Sequence, residues 1–212
     1  MARSQAAASQ PTLFGSGCVA LDESFAGATR IGLDDRSWVE VVPGWLRGSD
    51  ALLEVLLHAV AWEQRTRWMY DRVVDEPRLT AEITDLGAAP HAILRDAAAL
   101  LSTHYRVPYD GLWLNLYRDE HDSTSWHGDR ISCRRSECIV PVLTLGAQRR
   151  FLLKSRRGGP SIRFAPAAGD LLVMGGRCQR DWQHCVPKVA RACGLRVSIN
   201  FQSRLQATPD GS

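Results

Sequence analysis

The chain has 212 residues, 45% of them hydrophobic and 23% charged, with a formal net charge of +3. That length suits one domain able to bury a full core, and the composition excludes disordered, collagen-like and disulfide-dense chains. No apolar run approaches the ~20 residues that span a bilayer, and MARSQAAASQPTLFGSG lacks the apolar stretch of a secretory signal, so a cytoplasmic, membrane-free monomer is expected.

Residues 1–30 are rich in Ala, Ser and Gly without periodicity. They read as a mobile lead-in to one domain over 31–204, with 205–212 as a flexible tail. A short β-like run, Ser37 to Val42, ends at the turn signal Pro43-Gly44. Ser49 or Asp50 can cap a helix over ALLEVLLHAVAWEQ, in which Leu52, Leu53, Leu56, Leu57, Val60 and Ala61 form an apolar stripe. His58 in that helix reads as a surface or packing residue. Pro77 to Ala81 looks like a loop entering a strand, and a second helix is expected from about Pro90 to His104.

From residue 111 the pattern changes to short strands separated by turns. Strands are predicted at 112–118, 125–129, 138–145, 149–155, 161–165, 170–176 and 195–204. Helices followed by regularly spaced strands indicate a segregated α+β chain with a sandwich or jelly-roll core. No P-loop and no G-x-G-x-x-G after a strand occurs, which leaves kinase, NTPase and Rossmann readings without support. The six cysteines lack C-x-x-C or zinc-like spacing and read as reduced, mostly buried thiols.

Charge is unevenly distributed. Residues 1–110 hold 10 basic and 15 acidic side chains, whereas 111–204 hold 16 basic and 7 acidic. The basic half suits a polyanionic or anionic ligand, with Arg134, Arg135, Arg149, Arg150, Arg156 and Arg157 as candidate phosphate contacts. Composition bias remains the alternative, since 24 of the 26 basic residues are arginine.

His127-Gly128-Asp129 is an H-x-D pair. On an extended strand, residues i and i+2 share a face, so an imidazole and a carboxylate would be offered to one small volume. These are two ligands of a 2-His-1-carboxylate triad, which leaves open positions on a non-heme iron. His184, the one histidine after His127, is the candidate third ligand. The last strand alternates Leu195, Val197, Ile199 and Phe201 with Arg196, Ser198, Asn200, Gln202 and Arg204. If the polar face lines the interior, Arg196 becomes an internal guanidinium suited to a dicarboxylate. Asn115 and Tyr117 alternate in the same way, adding an amide and a phenol.

Taken in order, several segments resemble the AlkB family of Fe(II)- and 2-oxoglutarate-dependent dioxygenases. They are Val42-Pro43-Gly44-Trp45-Leu46, Pro77-Arg78-Leu79-Thr80-Ala81, Asn115-x-Tyr117, Asp122-Ser123-x-x-Trp126-His127-x-Asp129 and Leu143-Thr144-Leu145-Gly146. Arg149-Arg150-Phe151, the run Gly169 to Gly176, His184-x-x-Pro187 and Arg196 to Phe201 follow. The resemblance implies a double-stranded β-helix (jelly-roll) core with N-terminal helices packed outside. It implies Fe(II) on His127, Asp129 and His184, with 2-oxoglutarate on Asn115, Tyr117 and Arg196 and with Asn200 and Gln202 on the same strand face. It further implies oxidative dealkylation of bases in alkylated DNA or RNA, consuming O2 and releasing aldehyde, succinate and CO2. Arg78, Trp126, Ile131, Arg134 and Arg135 are then the candidate substrate residues. Two positions depart from the family. Gln202 stands where a second arginine is usual, with Arg204 two residues along, and Ile131 stands where repair members carry an acid. The same chemistry on a protein or small molecule, and a non-catalytic nucleic-acid-binding module, are the alternatives.

Overall fold

The computed structural model describes residues 18–69, 71–129 and 133–210. In chain order the elements are β1 (Ala20–Leu21), β2 (Thr29–Gly32), β3 (Ser37–Val42), β4 (Leu46–Arg47), α1 (Ser49–Ala59), β5 (Glu63–Met69), β6 (Arg72–Ile83) and α2 (Ala92–Tyr105). There follow β7 (Gly111–Tyr117), β8 (Thr124–His127), β9 (Val140–Gly146), β10 (Phe151–Ser155), β11 (Ile162–Phe164), β12 (Leu171–Gly176), α3 (Cys178–Asp181), β13 (Trp182–Val186), β14 (Arg196–Gln202) and α4 (Arg204–Ala207).

Two antiparallel sheets face each other as a jelly roll. The larger has the order β2-β3-β12-β9-β14-β7-β6-β5 and the smaller β11-β10-β13-β8. The alternation read in the last strand decides how they stack. Val197, Ile199 and Phe201 of β14 are buried in one core, together with Leu52, Leu53 and Leu56 of α1 and Leu94, Ala97, Ala98 and Leu101 of α2. The helices therefore cover the outer face of the large sheet, and each buried leucine contributes about 1.5–3 kcal/mol. A second core between the sheets gathers Val140, Val142, Phe151, Leu153, Leu172, Met174, Trp182 and Val186. The polar residues of β14 and β7 face this inter-sheet space.

Helix α1 is shorter at its C-terminal end than predicted, whereas α2 starts two residues later than predicted and ends one residue later. Helix α1 stops at Ala59, where Val60 turns extended, and it starts after a left-handed Gly48 without a side-chain cap from Ser49 or Asp50. Helix α2 is capped by His91, whose Nδ1 accepts from the Ile93 N–H at 3.1 Å, and ends on a left-handed Arg106. Gly169 (φ +85°) must be glycine, because a Cβ there would lie 2.2 Å from the Leu46 carbonyl oxygen.

Three expectations are corrected. Residues 63–83 form a long hairpin, β5–β6, where the sequence suggested a helix end, a charged stretch and a loop. Strand β5 is an edge strand, and its exposed Glu63 and Arg65 hide the period-two signal. Within the expected lead-in of residues 1–30, Ala20–Leu21 form β1 and β2 begins at Thr29, and α4 extends structure into the predicted tail. Cys133 and Cys138 form a disulfide instead of remaining reduced thiols, with Cα atoms 6.0 Å apart. Local spacing across a short turn brings them together, which composition could not indicate.

Candidate active site

His127 closes β8 and His184 lies in β13, and the two are direct cross-strand partners in the small sheet. Residues so paired hold their side chains side by side, and the two imidazole centroids lie 4.3 Å apart. Asp129 lies beyond the end of β8, so the predicted strand over 125–129 stops at His127 and the carboxylate arrives from a loop. Two contacts fix that loop. The Asp129 N–H donates to Gln179 Oε1 at 2.8 Å. A Cβ on Gly128 would lie only 2.5 Å from the Gln179 carbonyl oxygen, so the segment sits flat against α3.

The three ligand atoms lie within 4.8 Å of one another. Asp129 Oδ1 is 3.7 Å from His127 Nε2, and its Oδ2 is 3.7 Å from His184 Nε2. His127 Nδ1 lies 2.7 Å from the Ser125 carbonyl oxygen, a contact that places the proton on Nδ1 and leaves the Nε2 lone pair for a metal. Burial, and then the charges of His127 and Arg156, outweigh the pull of Asp129 and push the His184 pKa down to about 4. Its imidazole is therefore neutral near pH 7, the form that ligates. Phe151 stacks on it with ring centroids 5.2 Å apart. Asp129 Oδ2 is buried without a hydrogen-bond partner. A buried, unpartnered carboxylate oxygen facing two imidazoles fits a divalent cation.

The trio opens into a cavity of about 820 Å³ between the sheets, which also reaches Tyr117, Asn115 and Arg196. Arg196 is 1% exposed. Its Nη2 donates to Thr144 Oγ1 at 3.2 Å, while Nε and Nη1 have no partner. Burial lowers its pKa, which Tyr117 partly offsets. A buried guanidinium with free donors is costly unless an anion meets it, so the residue fits a carboxylate group. Asn115 is held in place: its Oδ1 accepts from Arg78 Nε (2.9 Å) and Trp113 Nε1 (3.2 Å), and its Nδ2 donates to Ser198 Oγ at 3.3 Å. One amide hydrogen is left for a ligand oxygen.

The comparisons with known proteins agree with this geometry. A model described as the 2OG-Fe(II) oxygenase superfamily matches residues 51–203. The chain belongs to that superfamily. The His127, Asp129 and His184 trio and the buried Arg196 fit the Fe(II) and 2-oxoglutarate named in that description. The chain is 30% identical over 189 residues to the alpha-ketoglutarate-dependent dioxygenase alkB homolog 3 of Homo sapiens, over 79% of this chain and 66% of that protein. It is 29% identical over 117 residues to the DNA oxidative demethylase ALKBH2 of Arabidopsis thaliana, over 44% and 37% of the two chains. The chain thus spans just under two thirds of the human relative. Among solved structures, a prolyl hydroxylase from Trichoplax adhaerens, in complex with a peptide of hypoxia inducible factor, shares its fold. The TM-score is 0.59 at 13% identity, over 80% and 85% of the chains.

The other predicted site residues scatter. Asn200 and Gln202 line the outer part of the oxygenase cavity, with Asn200 Nδ2 donating to the Trp113 carbonyl at 3.2 Å. Arg204 also lines the cavity, where it pairs with Asp110 at 2.9 Å, and its side chain is 83% exposed. Arg78, expected to meet substrate, lies in the cavity wall between Asn115 and Glu76 (3.0 Å). Trp126 is outside the cavity lining and carries Lys154 Nζ at 4.8 Å from its ring centroid. Arg134 and Arg135 also lie outside the lining; Arg135 Nε donates to the Leu205 carbonyl at 2.7 Å. Ile131 lies outside the described residues. Sequence reasoning missed Gln179, and gave Thr144, Ser198 and Phe151 no role although each stood within a quoted motif. Their contacts arise from strands paired far apart in sequence.

Proposed function

We propose that this dioxygenase removes alkyl groups oxidatively from bases of nucleic acid, with His127, Asp129 and His184 holding Fe(II). Arg196 binds the distal carboxylate of 2-oxoglutarate, assisted by Tyr117 and the remaining Asn115 amide hydrogen. The observation that carries the reading is the shared cavity, in which an unpartnered carboxylate oxygen of Asp129 and unpartnered donors of Arg196 face the same space. When bound, iron with O2 and 2-oxoglutarate supplies hydroxylation of an N-alkyl carbon, with succinate and CO2 as coproducts. The hydroxylated N-alkyl group then falls apart to aldehyde and free amine. The protein fixes the dicarboxylate, presents the C–H bond and shields the cavity under the helices and sheets.

Support for a nucleic-acid substrate comes from the β5–β6 hairpin, which forms one cavity wall through Arg65, Glu76 and Arg78. Beyond the cavity it presents Trp68 (69% exposed), in register with Val73 (60% exposed), and the exposed Arg72. A solvent-facing indole on the same hairpin as Arg65 and Arg72 suits stacking on an unpaired base beside phosphates. The relatives' names point the same way. A base in a duplex would have to leave the stack to reach the cavity. A panel of methylated single- and double-stranded oligonucleotides, peptides and small amines, scored by succinate release, tests the reading. Stimulation by oligonucleotide is expected. Stimulation only by a peptide or small amine would replace it with the same chemistry on another substrate.

A further inference from the structure

Arg149 was read from sequence as a phosphate contact, yet it is 2% exposed. It lies in the connection between β9 and β10, and its fork reaches three backbone carbonyls. Nη1 donates to Asp119 at 2.9 Å, and Nη2 donates to Asp122 at 2.9 Å and Pro187 at 2.8 Å. Nη1 also meets Cys193 Sγ at 3.5 Å, while Nε has no partner. The three carbonyls carry no charge. The Asp122 carboxylate, which the charge of Arg149 also helps to keep ionised, is taken by Arg118 through two guanidinium contacts at 2.8 and 2.9 Å and by the Arg118 N–H at 2.9 Å.

The Arg149 guanidinium carbon lies 5.8 Å from the Tyr117 ring centroid, and that of Arg196 lies 5.2 Å from the same centroid. Among the described residues neither arginine forms an ion pair with a carboxylate. Neither buried guanidinium has a carboxylate in ion-pair contact beside the shared phenol ring, and Asp122, the acid that the Arg149 charge reaches, is already paired with Arg118, an arrangement that favours an arriving anion. The charge of Arg149 acts on Arg196, helping to lower its pKa. Gln202, at the position of the usual second arginine, supplies no charge.

We propose that Arg149 is a positioning residue for the cosubstrate: acting through Tyr117 and Arg196 without contact, it supplies the second positive charge that makes the site selective for a dianion. The inference rests on the proposed seat of 2-oxoglutarate at Arg196. Unit charges roughly 10 Å apart in a medium of effective dielectric about 20 alter a binding constant by on the order of tenfold.

Calorimetric titration of Mn(II)-loaded protein with 2-oxoglutarate, and with 2-oxobutyrate, which keeps the 2-oxo acid head but lacks the distal carboxylate, tests this. Arg149→Gln should weaken 2-oxoglutarate about tenfold and 2-oxobutyrate less than threefold. Arg149→Lys, which restores charge without the fork, should stay within threefold of the parent for both, with Mn(II) affinity unchanged. If Arg149→Gln does not fold, the lysine variant decides alone. A tenfold loss of 2-oxoglutarate affinity in Arg149→Lys with Mn(II) affinity intact would overturn the charge role, as would equal weakening of both acids in Arg149→Gln. Parent protein that binds both acids equally would instead remove the seat at Arg196, a failure of the site assignment and not of the Arg149 argument.

Discussion

Replacing Gly128 with alanine tests whether the metal trio depends on the flat packing of its loop. The added Cβ would sit 2.5 Å from the Gln179 carbonyl oxygen and 3.3 Å from Arg156 Nη2. Reaching an ordinary contact of ~3.5 Å from that position demands roughly 1 Å of displacement. The opposing atom is backbone of α3, so the H-x-D loop must give way. Metal–ligand distances tolerate only about 0.2 Å, and a misplacement of about 1 Å at a reacting centre costs on the order of 100-fold in rate. Overpacking of this kind costs about 1–3 kcal/mol in stability. Gly128→Ala should therefore fold, lose a few degrees in Tm, and bind Mn(II) at least tenfold more weakly with turnover down about 100-fold. Calorimetry, thermal melts and succinate release report these separately. A variant with parent-like Mn(II) affinity and turnover would refute the argument that Gln179 and Gly128 set the geometry of Asp129.

Arg196→Met removes a buried cation that has partners for only part of its donors. The ligand-free variant should melt at or a few degrees above the parent, since well-packed apolar replacements of buried charges are often neutral or stabilising by about 1–4 kcal/mol. Added 2-oxoglutarate should raise the parent's Tm and leave that of the variant unchanged; a lower Tm in the ligand-free variant would show the charge already compensated. At Asp122 burial opposes ionisation, but the hydrogen bonds of Arg118 and the charges of Arg118 and Arg149 prevail and hold the carboxyl below its ordinary value. A depressed folded pKa means stability fully present above the unfolded value of ~3.9 and lost as pH falls through the folded one. Asp122→Asn should flatten the acid limb of the stability curve below pH ~4, and an unchanged limb in urea melts would contradict the pairing. Alkylation in denaturant before reduction should label Cys18, Cys178, Cys185 and Cys193 but spare Cys133 and Cys138; labelling of that pair would contradict the bond.

The parts legible in sequence were those written in local periodicity. The alternation over 195–204 identified both the helix-facing side of β14 and Arg196 as an interior cation, and the leucine stripe of α1 named the residues that cover the sheet. The histidines were legible by count, with one candidate after His127. Asp129 was placed on a strand because i and i+2 share a face, but the strand ends at His127 and the loop makes the same approach through Gln179. Long-range placement was not legible. Arginine in a coil segment looks alike whether solvated or buried, so Arg149 read as a surface contact. Charged edge strands such as β5 carry no alternation, which is why the hairpin that walls the cavity was missed.

The most direct measurement is aldehyde and succinate release from one methylated oligonucleotide, with iron, 2-oxoglutarate and oxygen each omitted in turn. Oxidative dealkylation predicts aldehyde and succinate in equal amounts, abolished by each omission and by Asp129→Ala. Protein that binds iron and 2-oxoglutarate yet leaves single- and double-stranded methylated substrates intact would contradict it.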